Sequence, residues 1–158
     1  MTMLVLTHRL FEAVTTFRTG SWSTSPQFGD GFSHGEVLGR TIGIIGYGRI
    51  GREVAERTAG LKCRIPTAKA ARSPIPGPAE SVFPLAELDR IPPLCDTLLI
   101  ACVLALETTG LIDARRLALM KPGALLINVA RARIVDEDAL YTALKDGHLG
   151  GAALDVWW

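Results

Sequence analysis

This chain has almost no excess of charge of either sign: 17 lysines and arginines against 16 aspartates and glutamates leave a formal net charge of +1 over 158 residues. That balance, scattered along the sequence, supplies neither a basic stripe nor an acidic tail, and nucleic acid is not an expected partner. Cysteine is scarce. Cys63, Cys95 and Cys102 are odd in number and lack C-x-x-C spacing, which argues against a disulfide framework or a zinc site and for small core residues in a reducing, cytoplasmic compartment. Long hydrophobic runs are missing too. The longest, Thr97 to Leu106, falls well short of the ~20 residues a membrane helix needs. No basic residue precedes the apolar N-terminus and no small-residue cleavage site follows it, so the reading is neither secreted nor membrane-bound. No internal repeat or heptad run competes with a globular fold.

What is present is a hydrophobic content of 48%, enough for one good core and one domain. Its most informative segment is Thr41-Ile42-Gly43-Ile44-Ile45-Gly46-Tyr47-Gly48-Arg49-Ile50-Gly51, an apolar run leading into G-x-G-x-x-G and then into a helix-forming stretch. In such a turn the first glycine allows the tight bend, the second lets backbone approach a pyrophosphate, and the third lets helix pack on strand. The helix adds free amides and the positive end of its dipole. Ile50, Val54 and Leu61 recur at helical spacing and are expected to face the core. The residues Gly46, Tyr47, Gly48, Arg49, Ile50 and Gly51 are therefore the expected dinucleotide grip, against the alternative of a tight turn without a ligand.

Along the chain, Met3, Leu6, Leu10, Val14 and Phe17 step by three and four, which predicts one amphipathic helix over residues 1–17. Residues 18–38 are rich in glycine, serine and aromatics and read as a long irregular arm needing a surface to lie on. Strands are predicted at Lys62 to Thr67, Ser81 to Phe83, Thr97 to Ala101, Ala124 to Asn128 and Gly151 to Val156. Between them lie a proline-rich turn at Ala70 to Pro78, helical stretches at Pro84 to Arg90 and Asp113 to Met120, and a helix opened by Asp136, Glu137 and Asp138 and closed by Lys145 and Gly147. Alternating strands and helices imply an α/β, Rossmann-like, doubly wound and mostly parallel sheet. Residues 1–38 form its N-terminal helix and arm, and residues 39–158 the dinucleotide-binding domain.

Several motifs then agree. Arg18-Thr19-Gly20-Ser21-Trp22, Glu107-Thr108-Thr109-Gly110-Leu111-Ile112, the run from Lys121-Pro122-Gly123 to Asn128-Val129-Ala130-Arg131, Val135-Asp136-Glu137-Asp138-Ala139-Leu140, and Gly151-Ala152-Ala153-Leu154-Asp155-Val156 resemble the nucleotide-binding domain of the D-isomer-specific 2-hydroxyacid dehydrogenases from end to end. The resemblance implies hydride transfer between NAD or NADP and carbon 2 of a 2-hydroxy or 2-oxo acid. Arg131 would be the catalytic arginine, its planar fork gripping the substrate carboxylate and polarising the carbonyl; a surface ion pair is the alternative. Arg49 and Ile50 would offer backbone amides to the pyrophosphate. Cys102 and Val103 would flank the adenosine, Thr108 would contact the coenzyme, Val129 and Ala130 would lead backbone to the nicotinamide, and Asp155 would accept from its carboxamide or merely end a strand. The arm would be a dimerisation element, and a homodimer is expected.

Departures from the family pattern carry expectations of their own. No acidic residue lies between Lys62 and Pro78, where one would bind the ribose hydroxyls of NAD. Lys69 and Arg72 stand there instead, either as ligands for the 2′-phosphate of NADP or as solvated loop charges. Ala132 replaces the usual glycine after the arginine and is expected to crowd the ligand's backbone approach, while Val103 and Leu106 replace usual prolines. The family's glutamate and histidine, and its substrate lobe, have no counterpart in these residues, and the isolated chain is expected to turn over poorly. A catalytically inactive nucleotide-binding or assembly module is the alternative function. None of His8, His34 and His148 has a catalytic context.

Overall fold

The computed structural model describes residues 1–20, 35–70 and 77–158. Six strands, β1 (Ile42–Ile45), β2 (Pro66–Lys69), β3 (Ser81–Pro84), β4 (Thr97–Ile100), β5 (Ala124–Asn128) and β6 (Leu149–Leu154), form one sheet in the order β3-β2-β1-β4-β5-β6. Every neighbouring pair is parallel. Parallel strands must be covered on both faces, and β1, β4 and β5 accordingly carry apolar residues without alternation and are buried throughout.

Among the described residues five α-helices accompany the sheet: α1 (Thr2–Thr7), α2 (Leu10–Arg18), α3 (Arg49–Ala59), α4 (Ala114–Ala118) and α5 (Glu137–Lys145). Two cores result. On one face Leu98, Ile100 and Leu126 pack with Leu117 of α4 and Leu140 of α5. On the other, Ile42, Ile44, Leu99 and Ile127 pack with Ala55 of α3, and Met3 of α1 lies against them. Helices α4 and α5 start where their side chains cap them: Asp113 accepts from the Arg116 amide and Asp136 from the Ala139 amide, each at 2.8 Å.

Several expectations are corrected. The single helix over residues 1–17 is broken, because Arg9 adopts a left-handed conformation (φ 49°) and the Gly35 amide takes the Thr7 carbonyl. The strand expected from Lys62 begins only at Pro66: Lys62 turns with φ 54°, and Arg64 makes one isolated bridge to Thr41. The stretch after Pro84 is a 3₁₀ rather than an α-helix, Leu85–Arg90, and β6 begins and ends two residues before the predicted strand. Helix α3 buries Gly51, Ala55 and Thr58, while Ile50 and Leu61 are exposed. Small residues win that face because they let the helix approach the sheet more closely than an isoleucine would. Trp22, Phe28, Phe32 and His34 of the arm, with Arg72, Pro74 and Pro76, lie outside the described residues.

Candidate functional site

With all strands running one way, their carboxyl ends share one edge of the sheet. Register turns that edge into a row. Ala68, Ile45, Ile100, Asn128 and Leu154 are successive Cα partners across β2, β1, β4, β5 and β6. The residues that follow them, Lys69, Gly46, Ala101, Val129 and Asp155, therefore reach the rim together. Strand order reverses at β1, and open parallel sheets take ligands at such a point.

The three glycines of the turn meet three different surroundings. Gly46 has φ +95°, and a Cβ there would sit 2.5 Å from the Cys102 Cα, so the end of β4 leaves no room for a side chain. A Cβ on Gly51 would overlap the Gly46 carbonyl oxygen and stand 3.1 Å from Ile44 Cγ2. Above Gly48 nothing lies within 4 Å. Gly48 is the N-cap of α3 and brings no side chain to the amides that open the helix. The first turn also carries Arg49 and Arg52 and no acid, the unfavourable sense for the helix dipole. A diphosphate would relieve that field.

Tyr47 does not face this opening. Its ring is buried in the second core and its hydroxyl has no hydrogen-bond partner of good geometry among the described residues. Burial raises its pKa, and the nearby Ala79 backbone offsets this only in part. What Tyr47 offers the rim is backbone. Cys102 is half-buried at the end of β4, and burial pushes its thiol up. Beyond it Thr108 closes a turn upon itself: its hydroxyl donates to the Val103 carbonyl and accepts from the Ala105 amide, both at 2.7 Å. That hydroxyl shapes the loop, on which Val103 and Leu106 are 80% and 95% exposed.

Past β5 the chain leaves the sheet at Val129, whose amide donates to the Ile100 carbonyl. Arg131 is exposed, with Nη1 donating to the Ala130 carbonyl at 2.7 Å. Ala132 is buried and begins the short 3₁₀ turn Ala132–Ile134. Asp155 is exposed, and its carboxylate has no partner among the described residues. Lys69 is half-buried at the end of β2. Asn128 was not singled out by its residue type, yet it is fully buried and bonds to both Ala130 and Arg131. The one signal for it in the sequence is a polar side chain ending an otherwise apolar strand.

The sequence pattern of the D-isomer specific 2-hydroxyacid dehydrogenase NAD binding domain matches residues 1–158. The chain belongs to this family. It is 39% identical to a glyoxylate reductase of Thermococcus gammatolerans over 160 residues, covering 98% of this chain and 47% of that one. Among solved structures it resembles the NAD-dependent formate dehydrogenase of Staphylococcus aureus in complex with NAD, with TM-score 0.85 and 34% identity over 98% of this chain and 45% of that one. It also resembles a D-isomer specific 2-hydroxyacid dehydrogenase of Xanthobacter autotrophicus in complex with NADPH, with TM-score 0.80 and 30% identity over 98% and 47%. The chain thus spans about half the length of these relatives.

As a dehydrogenase NAD-binding domain, the structure fits its coenzyme where fit can be tested: the one glycine of the turn with open space above it is the one a pyrophosphate must approach. Among the described residues no three His, Cys, Asp or Glu side chains converge on a metal position, and no helix is long and apolar enough to cross a membrane.

Proposed function

We propose that this chain binds a nicotinamide coenzyme across the β1–β4 rim and serves hydride transfer between it and a 2-hydroxy or 2-oxo acid. The observation that carries the reading is the row at the carboxyl edge, where Gly46, Val129 and Asp155 stand level and Gly48 leaves the approach open. The backbone of residues 46–51 would hold the diphosphate, Cys102 and Val103 would flank the adenosine, and Asp155 would accept from the carboxamide. The bound nicotinamide supplies or takes the hydride. Arg131 would grip the acid's carboxylate through two parallel N–H donors and draw electron density toward the carbonyl oxygen.

The coenzyme's 2′ position would meet Lys69 at the end of β2, Arg72 follows in the sequence, and no carboxylate lies between Lys62 and Pro78, which supports NADP over NAD. NADH and NADPH titrated separately, with nicotinamide fluorescence as the readout, test both readings at once. Tighter NADPH binding that disappears in Lys69→Ala or Arg72→Ala is expected. Equal affinities untouched by either change would remove the phosphate reading, and no binding of either coenzyme would remove the function.

Self-association completes the proposal. Helix α2 buries none of its residues, and Leu10, Phe11, Val14 and Phe17 lie exposed along it. A second copy covering that stripe in a homodimer would take it out of water. Light scattering is expected to give twice the chain mass, and a monomer at working concentration would refute the dimer. A cytoplasmic setting accords with the free thiols of Cys63, Cys95 and Cys102.

A further inference from the structure

We infer that Asn128 is a positioning residue for Arg131, a claim that rests on the proposed role of that arginine. After Val129 no ladder bond holds the chain to the sheet, yet Arg131 needs a defined place at the rim. The side chain of Asn128 supplies it. Its Oδ1 accepts from the Ala130 amide and its Nδ2 donates to the Arg131 carbonyl, both at 3.0 Å. Its own carbonyl accepts from the Asp155 amide, again at 3.0 Å. One fully buried residue therefore ties together the backbone entering the nicotinamide side, the arginine and the aspartate.

Few side chains could replace it. A buried amide left without partners is costly, so the loop is driven into the conformation that satisfies both ends. Aspartate keeps the acceptor and loses the donor, leucine keeps neither, and glutamine adds a methylene where Asn128 has no solvent to expand into. The Arg131 carbonyl also accepts from the Ile134 amide at 3.2 Å, which joins this clamp to the 3₁₀ turn behind it. Arg131 itself is extended, at φ −148° and ψ 142°, with its guanidinium on the solvent side.

Two measurements on Asn128→Ala, Asn128→Asp and Arg131→Ala chains test the inference. Amide hydrogen exchange needs no ligand. In Asn128→Ala, exchange at Ala130 is expected to accelerate about tenfold or more while Leu126 and Ile127 inside β5 keep their protection. The second measurement is oxamate affinity at saturating coenzyme, oxamate being a 2-oxo acid mimic. Asn128→Ala is expected to weaken oxamate about tenfold with little effect on coenzyme, and to add nothing when combined with Arg131→Ala, because the two act as one unit. Unchanged Ala130 exchange, a uniform rise along β5, or a loss that adds to that of Arg131→Ala would each overturn it. Should Asn128→Ala fail to fold, Asn128→Asp decides: Ala130 stays protected and oxamate still weakens, and wild-type oxamate affinity would refute the inference. Failure of the wild-type chain to bind coenzyme would remove the proposed function, while the exchange result would still decide whether Asn128 holds the loop.

Discussion

The two edges of the sheet treat polar groups in opposite ways. At the amino edge Asp96 accepts from the Thr41 amide and from Lys121 Nζ, each at 2.8 Å, with Arg40 Nη1 at 3.9 Å, so its charge is answered within the chain. At the carboxyl edge an uncapped helix start, an exposed arginine and an exposed aspartate face outward. A polar group that only holds a fold finds its partners inside the molecule. One that serves a ligand is left with capacity to spare, and that difference is the one expected if the coenzyme binds at the carboxyl edge as proposed.

Three substitutions would break or sharpen this contrast. Gly46→Ala should act most strongly, since the added carbon meets the Cys102 backbone at 2.5 Å in a left-handed residue; a loss of about 3 kcal/mol in urea unfolding is expected, together with loss of coenzyme binding. Stability close to wild type would show that the β1–β4 junction is looser than described. Gly48→Ala, with nothing near its added carbon, should cost only about 0.5–1 kcal/mol of stability as a poorer N-cap while weakening coenzyme about tenfold or more. Equal effects at Gly46 and Gly48 would erase the distinction between packing and access.

Asp96→Asn should act only at the amino edge, removing about 1 kcal/mol at neutral pH without altering coenzyme affinity. Burial pushes the Asp96 carboxyl up, but Lys121, the Thr41 amide and Arg40 outweigh it, and the group titrates below its usual range. Asp89, bonded to Arg115 and Arg116 at 2.5 and 2.8 Å, is held at about 2. A carboxylate lowered in the folded state stabilises fully above its unfolded value near ~4 and loses that contribution as pH falls through the folded one. Melting temperature should therefore hold steady from neutrality to about pH 4 and decline toward pH 2, and the gap between wild type and Asp96→Asn should narrow as the solution is acidified. A gap that did not narrow on acidification would detach Asp96 from the effect.

Much of this architecture could be read from residue order. The apolar runs of β1, β4 and β5, the capping aspartates Asp113 and Asp136, and the glycine turn announce themselves because they depend on neighbours a few positions away. The break at Arg9 is invisible in the sequence, since the stripe from Met3 to Phe17 continues through it; the competing bond to Thr7 comes from Gly35, 28 positions further along than Thr7. The buried face of α3 is legible only in part for a related reason: Val54 packs against the second core, while Ile50 does not. Hydrophobicity favoured Ile50, whereas contact with Gly46 favoured Gly51, and only the approach of helix to strand reveals which one prevails.

Sequence alone determined the α/β class, the motifs shared with the dehydrogenase family and the identity of the rim residues, because turn chemistry, caps and hydrophobic runs are local properties. Tertiary structure decided that Tyr47 turns inward, that Thr108 spends its hydroxyl on its own loop, and that Asn128 braces Arg131. Those outcomes depend on which buried polar and apolar groups meet across the fold, and no window along the chain contains both partners.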